Sequence, residues 1–136
     1  MPYVIKTEVR DPVAELLLFA EQKTMYGGKK IAAGDRLFIF ASETQGGRGL
    51  AAQGIVTDAV AGARRPGLAR QTPRVTVWVR RTSLVARALG RQDLKPLTSW
   101  DDGQPGTELN FKLYRQATNK IVGISLEAAA FLERHF

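Results

Sequence analysis

A short apolar run stands at the centre of the pattern. Leu37 to Ala41 is opened by Gly34-Asp35 and closed by polar residues, too brief for a helix and without polar alternation, which predicts a strand covered on both faces. Gln45 to Gly49 supplies three glycines and Arg48, and Leu50 to Val56 returns as a second apolar segment, so Gly34 to Thr57 reads as a hairpin in the middle of the fold. Two stretches alternate. Tyr3 to Val9 sets Tyr3, Ile5 and Thr7 against Val4, Lys6 and Glu8, and Arg74 to Arg81 sets Val75, Val77 and Val79 against Arg74, Thr76, Trp78 and Arg80.

Between these strands the pattern predicts helices and turns. Asp11-Pro12 is a helix start, followed by Val13, Leu16, Leu17 and Ala20 at spacings of three and four, with Leu18 and Phe19 widening the stripe and the helix fading near Gln22 to Tyr26. Lys23 to Ala33 and Ala61 to Thr72 read as loops. Ser83 to Arg91 has Leu84, Val85, Ala88 and Leu89 at helical spacing, and Lys95-Pro96 ends it. Thr98 to Thr107 is turn chemistry, Leu109 to Tyr114 alternates like a strand, Gln116 to Asn119 turns, and Lys120 to Ile124 is a last short strand. Ser125 then caps a closing helix with Leu126, Ala129, Ala130, Leu132 and Phe136 on its apolar face. The expected architecture is α+β: one domain over residues 1–136, a β-barrel of about five to six strands decorated by short helices, the last of them C-terminal.

Composition narrows the chemistry. With 44% hydrophobic and 24% charged residues, and no apolar run long enough to cross a bilayer, a soluble protein with no membrane partner is expected. The first residues lack a basic region followed by a long apolar core, which points to a cytoplasmic setting. The absence of cysteine removes disulfides, thiolate metal sites and thiol nucleophiles. The net charge of +7 is unevenly placed. Residues 1–63 carry seven Lys/Arg and seven Asp/Glu, whereas residues 64–95 carry nine cations, eight of them arginine, against Asp93 alone. Arginine's planar fork suits phosphate oxygens, so a polyanion is the partner this half favours, with a solvated basic surface as the plainer alternative.

The candidate binding residues follow from that charge and from the aromatics among it. Tyr26, beside Gly27-Gly28 and next to Lys29 and Lys30, is either a stacking platform with phosphate contacts or a cover for the barrel mouth. Trp78 between arginines is either the floor of a groove or a cover for an open sheet face, and Trp100 sits in a turn where it must dock or meet a partner. Arg48 at the hairpin tip, Arg64, Arg65 and Arg70 in the basic loop, and Arg80 and Arg81 on the alternating strand are the remaining cations placed for phosphate contact. Asp101 and Asp102 belong to a Gly/Pro turn without a calcium-loop pattern, and His135 stands alone at a helix end. Neither a Walker-type phosphate loop nor GxGxxG occurs, and no catalytic residue, metal ligand or cofactor is assigned.

The order of elements, with Tyr3 near the start, Gly34-Asp35-Arg36-Leu37-Phe38 opening the central strand, Gly54-Ile55-Val56 on the return, and Ile124-Ser125-x-Glu127-x-Ala129-x-x-Leu132 at the end, resembles the PUA-like superfamily and within it the EVE domain, a relative of the YTH domain. That resemblance implies a small pseudo-barrel that binds DNA or RNA, with a pocket for one modified, for example methylated, base. Tyr26, Trp78 and Trp100 would be its aromatic walls, and Lys29, Lys30, Arg48, Arg64, Arg65, Arg70, Arg80 and Arg81 its phosphate contacts. The sequence is also similar to the ASCH branch at Gly28-Lys29-Lys30, which would imply an RNA or small-amide hydrolase, but Ala33 stands where that pattern has a glutamate. A protein-protein module using the same aromatics is the third expectation.

Overall fold

In the computed structural model the described residues are 1–63, 66–67, 71, 73–99, 101–115 and 119–136. Six strands, β1 (Tyr3–Thr7), β2 (Leu16–Met25), β3 (Arg36–Ala41), β4 (Gly49–Ala61), β5 (Arg74–Leu84) and β6 (Lys120–Gly123), close into a barrel in the order β1-β3-β4-β5-β2-β6. β1 runs parallel to β3 and β2 parallel to β6, while the other neighbours are antiparallel. Three short helices, α1 (Arg91–Leu94), α2 (Pro105–Tyr114) and α3 (Leu126–Glu133), complete the α+β architecture. Among the described residues no helix is long and apolar enough to cross a membrane.

The central hairpin explains how the core divides. Leu37 and Ile39 pack with Tyr3, Ile5, Val75, Val77, Val79 and Ile121 inside the barrel. Phe38 and Phe40 of the same strand point the other way and join Val4, Val122, Leu109, Leu113, Ala129 and Leu132 under the helices. Both faces of β3 are therefore dry, as its unbroken apolar run requires. The turn after β3 passes through Gly46 at φ 86 and re-enters at Gly49 at φ 88, where a Cβ would collide with the Leu89 carbonyl and the Gly90 backbone. β4 then extends five residues beyond the apolar segment that announced it.

Three expectations give way. The helix predicted after Asp11-Pro12 is absent; Asp11 Oδ1 accepts from Val13 N at 3.2 Å in a turn, and Leu16–Met25 is barrel strand β2. Its leucines look helical because its outer face is uncovered, leaving Leu16 and Leu18 exposed while Leu17 and Phe19 turn inward, and because a bulge between Phe19 and Gln22 interrupts the alternation. Leu109–Tyr114, read as a strand, lies in α2: Asp102 accepts from Gln104 N at 2.8 Å and from Thr107 Oγ1 at 3.0 Å, Pro105 opens the first turn, and Gly106, Leu109, Asn110 and Leu113 form a buried stripe. The aspartate is the turn-former its neighbours suggested. The helix expected over Ser83 to Arg91 is instead the end of β5 and an extended segment, tied down by Val85 N to Ala51 O and by Ala86 N and Arg87 N to His135 O, so that only Arg91–Leu94 is helical.

The closing helix starts as predicted, with Ser125 Oγ accepting from Ala128 N at 3.0 Å. Its buried face is Ala128, Ala129 and Leu132, with Phe136 packed on Phe38 at 6.0 Å between ring centres, whereas Leu126 and Ala130 face outward. Glu108 of α2 joins the two helices. It accepts from Ser125 N at 2.8 Å, from the Ser125 hydroxyl, and from Lys112 Nζ at 3.0 Å.

Candidate functional site

The inward row Tyr3, Ile5, Thr7 ends in a threonine, and the inward row of β2 ends in Gln22 and Thr24. Polar side chains thus replace apolar ones at one mouth of the barrel. A cleft of about 390 Å³ opens there, between Thr7 and Glu8 at the end of β1, the bulged Glu21–Lys23 segment of β2, Gln45 in the turn after β3, Arg74 at the start of β5, and Asn119 before β6. Its volume is that of a small-ligand site, and none of these residues is aromatic.

The cleft is fixed from below. Thr7 Oγ1 donates to Asn119 Oδ1 at 2.7 Å, and Asn119, held at φ 62, donates its N–H to Lys6 O at 2.9 Å. Ser42 N donates to Thr7 O at 2.9 Å and Gln45 N to Ser42 O at 3.0 Å, which ties the turn to β1. Glu43 anchors the same turn by accepting from Arg91 N at 2.6 Å and from Tyr114 Oη at 2.9 Å. Burial and the Glu43 carboxylate push the Tyr114 phenol well above its ordinary value, so it stays a donor. Lys6 lies with its Nζ 4.2 Å from the centre of the Tyr114 ring, and burial pulls its pKa down despite the attraction of Glu43.

The bulge aims the remaining groups. Glu21, at φ 53, donates its N–H to Thr76 Oγ1 at 3.0 Å and its carbonyl accepts from Arg74 Nη1 at 3.0 Å. Gln22 Nε2 donates to Ala20 O at 2.7 Å, which leaves Gln22 Oε1 buried with no partner at the cleft wall. Such an acceptor costs free energy until a donor reaches it. Gly62 N donates to Arg74 O at 2.8 Å, which pairs the end of β4 with the start of β5 at this rim. The arrangement offers edge hydrogen bonding from Thr7, Gln22 and Asn119, while Lys23 and Arg74 stand in the same lining as Glu8 and Glu21, so that the cleft is balanced in charge. The Thr7 hydroxyl is spent on an amide oxygen and not paired with a base.

Among the described residues, none of the sequence-derived candidates lines this cleft. Tyr26, at φ 51 and 41% exposed, stands edge-on to Phe111 with ring centres 6.5 Å apart and has Lys112 Nζ 4.8 Å from its own ring centre. Lys29 and Lys30 are exposed on a 3-10 turn beyond it. Trp78 and Arg80 point outward from β5, and Arg81 spends its Nε on Ala14 O at 3.1 Å. Arg48 borders a separate, apolar cleft of about 520 Å³. Trp100, Arg64, Arg65 and Arg70 lie outside the described residues. Sequence reasoning missed Thr7, Gln22, Lys23, Arg74 and Asn119 as a group. The one legible signal was Thr7 at an inward position of an otherwise apolar row.

Comparison with known proteins bears on the fold. No family model matches the chain, and no curated protein matches it. Among solved structures, the DUF55 domain of human thymocyte nuclear protein 1 is similar with a TM-score of 0.68 and 15% identity, over 99% of this chain and 98% of that one. Human THYN1 in complex with DNA containing 5-methylcytosine is similar with a TM-score of 0.66 and 14% identity, over 98% of this chain and 96% of that one. A Pseudomonas syringae protein matches with a TM-score of 0.60 and 14% identity over 100% of both chains. The chain thus shares the fold of these structures over nearly its whole length, a closed six-stranded barrel with short helices among the described residues.

Proposed function

We propose that residues 1–136 form one non-catalytic nucleic-acid-binding domain, which receives a single extruded base, plain or methylated, in the cleft at the barrel mouth and holds the backbone with the cations around it. The observation that carries this reading is the buried, unpartnered Oε1 of Gln22, a residue that lines this polar cleft beside Lys23 and Arg74. A buried amide oxygen is complementary to an exocyclic amine, which cytosine, adenine and guanine carry and thymine lacks. The similarity to a structure in which human THYN1 holds 5-methylcytosine DNA supports the same class of ligand. Because no described cleft residue is aromatic, recognition rests on the base edge more than on stacking walls. Anisotropy titrations with labelled single strands that differ only in one central base, plain or methylated, test it. The unaltered protein should favour cytosine or adenine over thymine at that position, and Gln22→Leu should erase the preference. Equal affinity for all bases by the unaltered protein would overturn the base-reading role.

A further inference from the structure

The helices cover β1, β3 and β6 but leave the outer face of β2 and β5 bare. On that face β5 presents Arg74, Thr76, Trp78 and Arg80 in one row, with Trp78 39% exposed. Across the strand pair Leu18 lies opposite Trp78 and Leu16 opposite Arg80, and these leucines are 56% and 73% exposed. On the other side Asp58 of β4 is opposite Trp78, whereas the β2 residues opposite Trp78 and Arg80 are uncharged and β2 brings Glu21 and Lys23 only to the Arg74 end of the row. Arg74 belongs both to this row and to the cleft rim, and Trp78 follows it by four strand residues, about 13 Å.

We propose that this row is the path of the single strand flanking the base held in the cleft: a base stacks on Trp78 with its sugar edge over Leu18, while Arg74 and Arg80 take the phosphates on either side. The inference rests on the nucleic-acid reading above and deepens it. Charge complementarity selects the occupant. A protein partner would find an apolar stripe interrupted at both ends by arginine, whereas alternating cation, aromatic and cation is what a polynucleotide's alternating phosphates and bases require. Trp78 is thereby a stacking platform outside the cleft and not a wall of it.

The test is the affinity of the full chain for a single-stranded dodecanucleotide. Replacing Trp78 by leucine keeps an apolar cover on the sheet and removes the aromatic face. It should weaken binding by about 5- to 150-fold, whereas Trp78→Tyr should retain most of it. Urea unfolding of both variants verifies that each is folded. If the dodecanucleotide binds and Trp78→Leu binds equally well, the path is wrong while the cleft reading stands. If no strand binds the unaltered protein, the cleft reading fails and the path with it. Self-association of the unaltered protein that Trp78→Leu abolishes, with oligonucleotide affinity unchanged, would assign the face to a second copy and overturn the proposal.

Discussion

The barrel has two unlike halves. β1, β3 and β6 lie between the interior and the helices, and every residue of β1 and all but the first residues of β3 and β6 are buried. β2 and β5 turn Leu17, Phe19, Val75, Val77 and Val79 into the interior but have an open outer face, on which Leu16, Leu18 and Trp78 meet solvent beside Arg74 and Arg80. The covered half carries stability, because each strand buries two sets of side chains. The open half carries only one buried row, so its outer row is free to serve recognition at little cost to the fold.

That contrast breaks or sharpens under substitution. The largest effect is expected at Phe38, fully buried beneath α3, where Phe38→Ala should cost about 3–5 kcal/mol in urea unfolding. A comparable loss from Trp78→Leu would erase the distinction between the halves. Next, Ser125→Ala removes the cap of α3 and one of the two hydrogen bonds that Ser125 gives Glu108, and should cost about 1–2 kcal/mol. Only the hydroxyl donor is lost outright, because Ser125 N remains. Glu108 also gives a pH signature. Burial works to raise its pKa, but hydrogen bonds from Ser125 and Lys112 outweigh that and hold it below the ordinary value. Its contribution is full above the unfolded-state pKa and is lost as pH falls through the folded-state value, so Glu108→Gln should flatten the acid side of the stability profile.

Lys6 tests whether a covered strand needs its one buried cation. Burial lowers its pKa, so the unfolded chain binds more protons between the folded and unfolded values and stability rises as pH climbs through that alkaline window. Lys6→Met should remove the rise and leave neutral-pH stability equal or greater, measured by urea midpoints across the alkaline range. The smallest effect belongs to the open face, where Trp78→Leu should change stability by no more than about 0.5 kcal/mol.

What the sequence disclosed follows the same division. β1, β3, β5 and β6 were readable because dry faces impose unbroken runs or clean alternation, as at Leu37–Ala41 and Val75-Val77-Val79. β2 was misread because exposed Leu16 and Leu18 mimic a helical stripe and the bulge at Glu21 breaks the period. α2 was misread because its Asn-Phe-Lys-Leu-Tyr-Arg tail alternates by accident, while its start was marked by Asp102 and Pro105. The short motifs around Gly34-Asp35 and Ile124-Ser125 carried the fold. The cleft stayed hidden because Thr7, Gln22, Arg74 and Asn119 come from four separate segments and converge only when the barrel closes.

The most direct measurement of the central claim is the salt dependence of single-stranded oligonucleotide binding by the unaltered protein and by Lys23→Ala. Binding at low salt that weakens as salt rises, with a log-log slope shallower by about one in the variant, is what a base cleft with Lys23 on a phosphate predicts. No binding at low salt by the unaltered protein would contradict it.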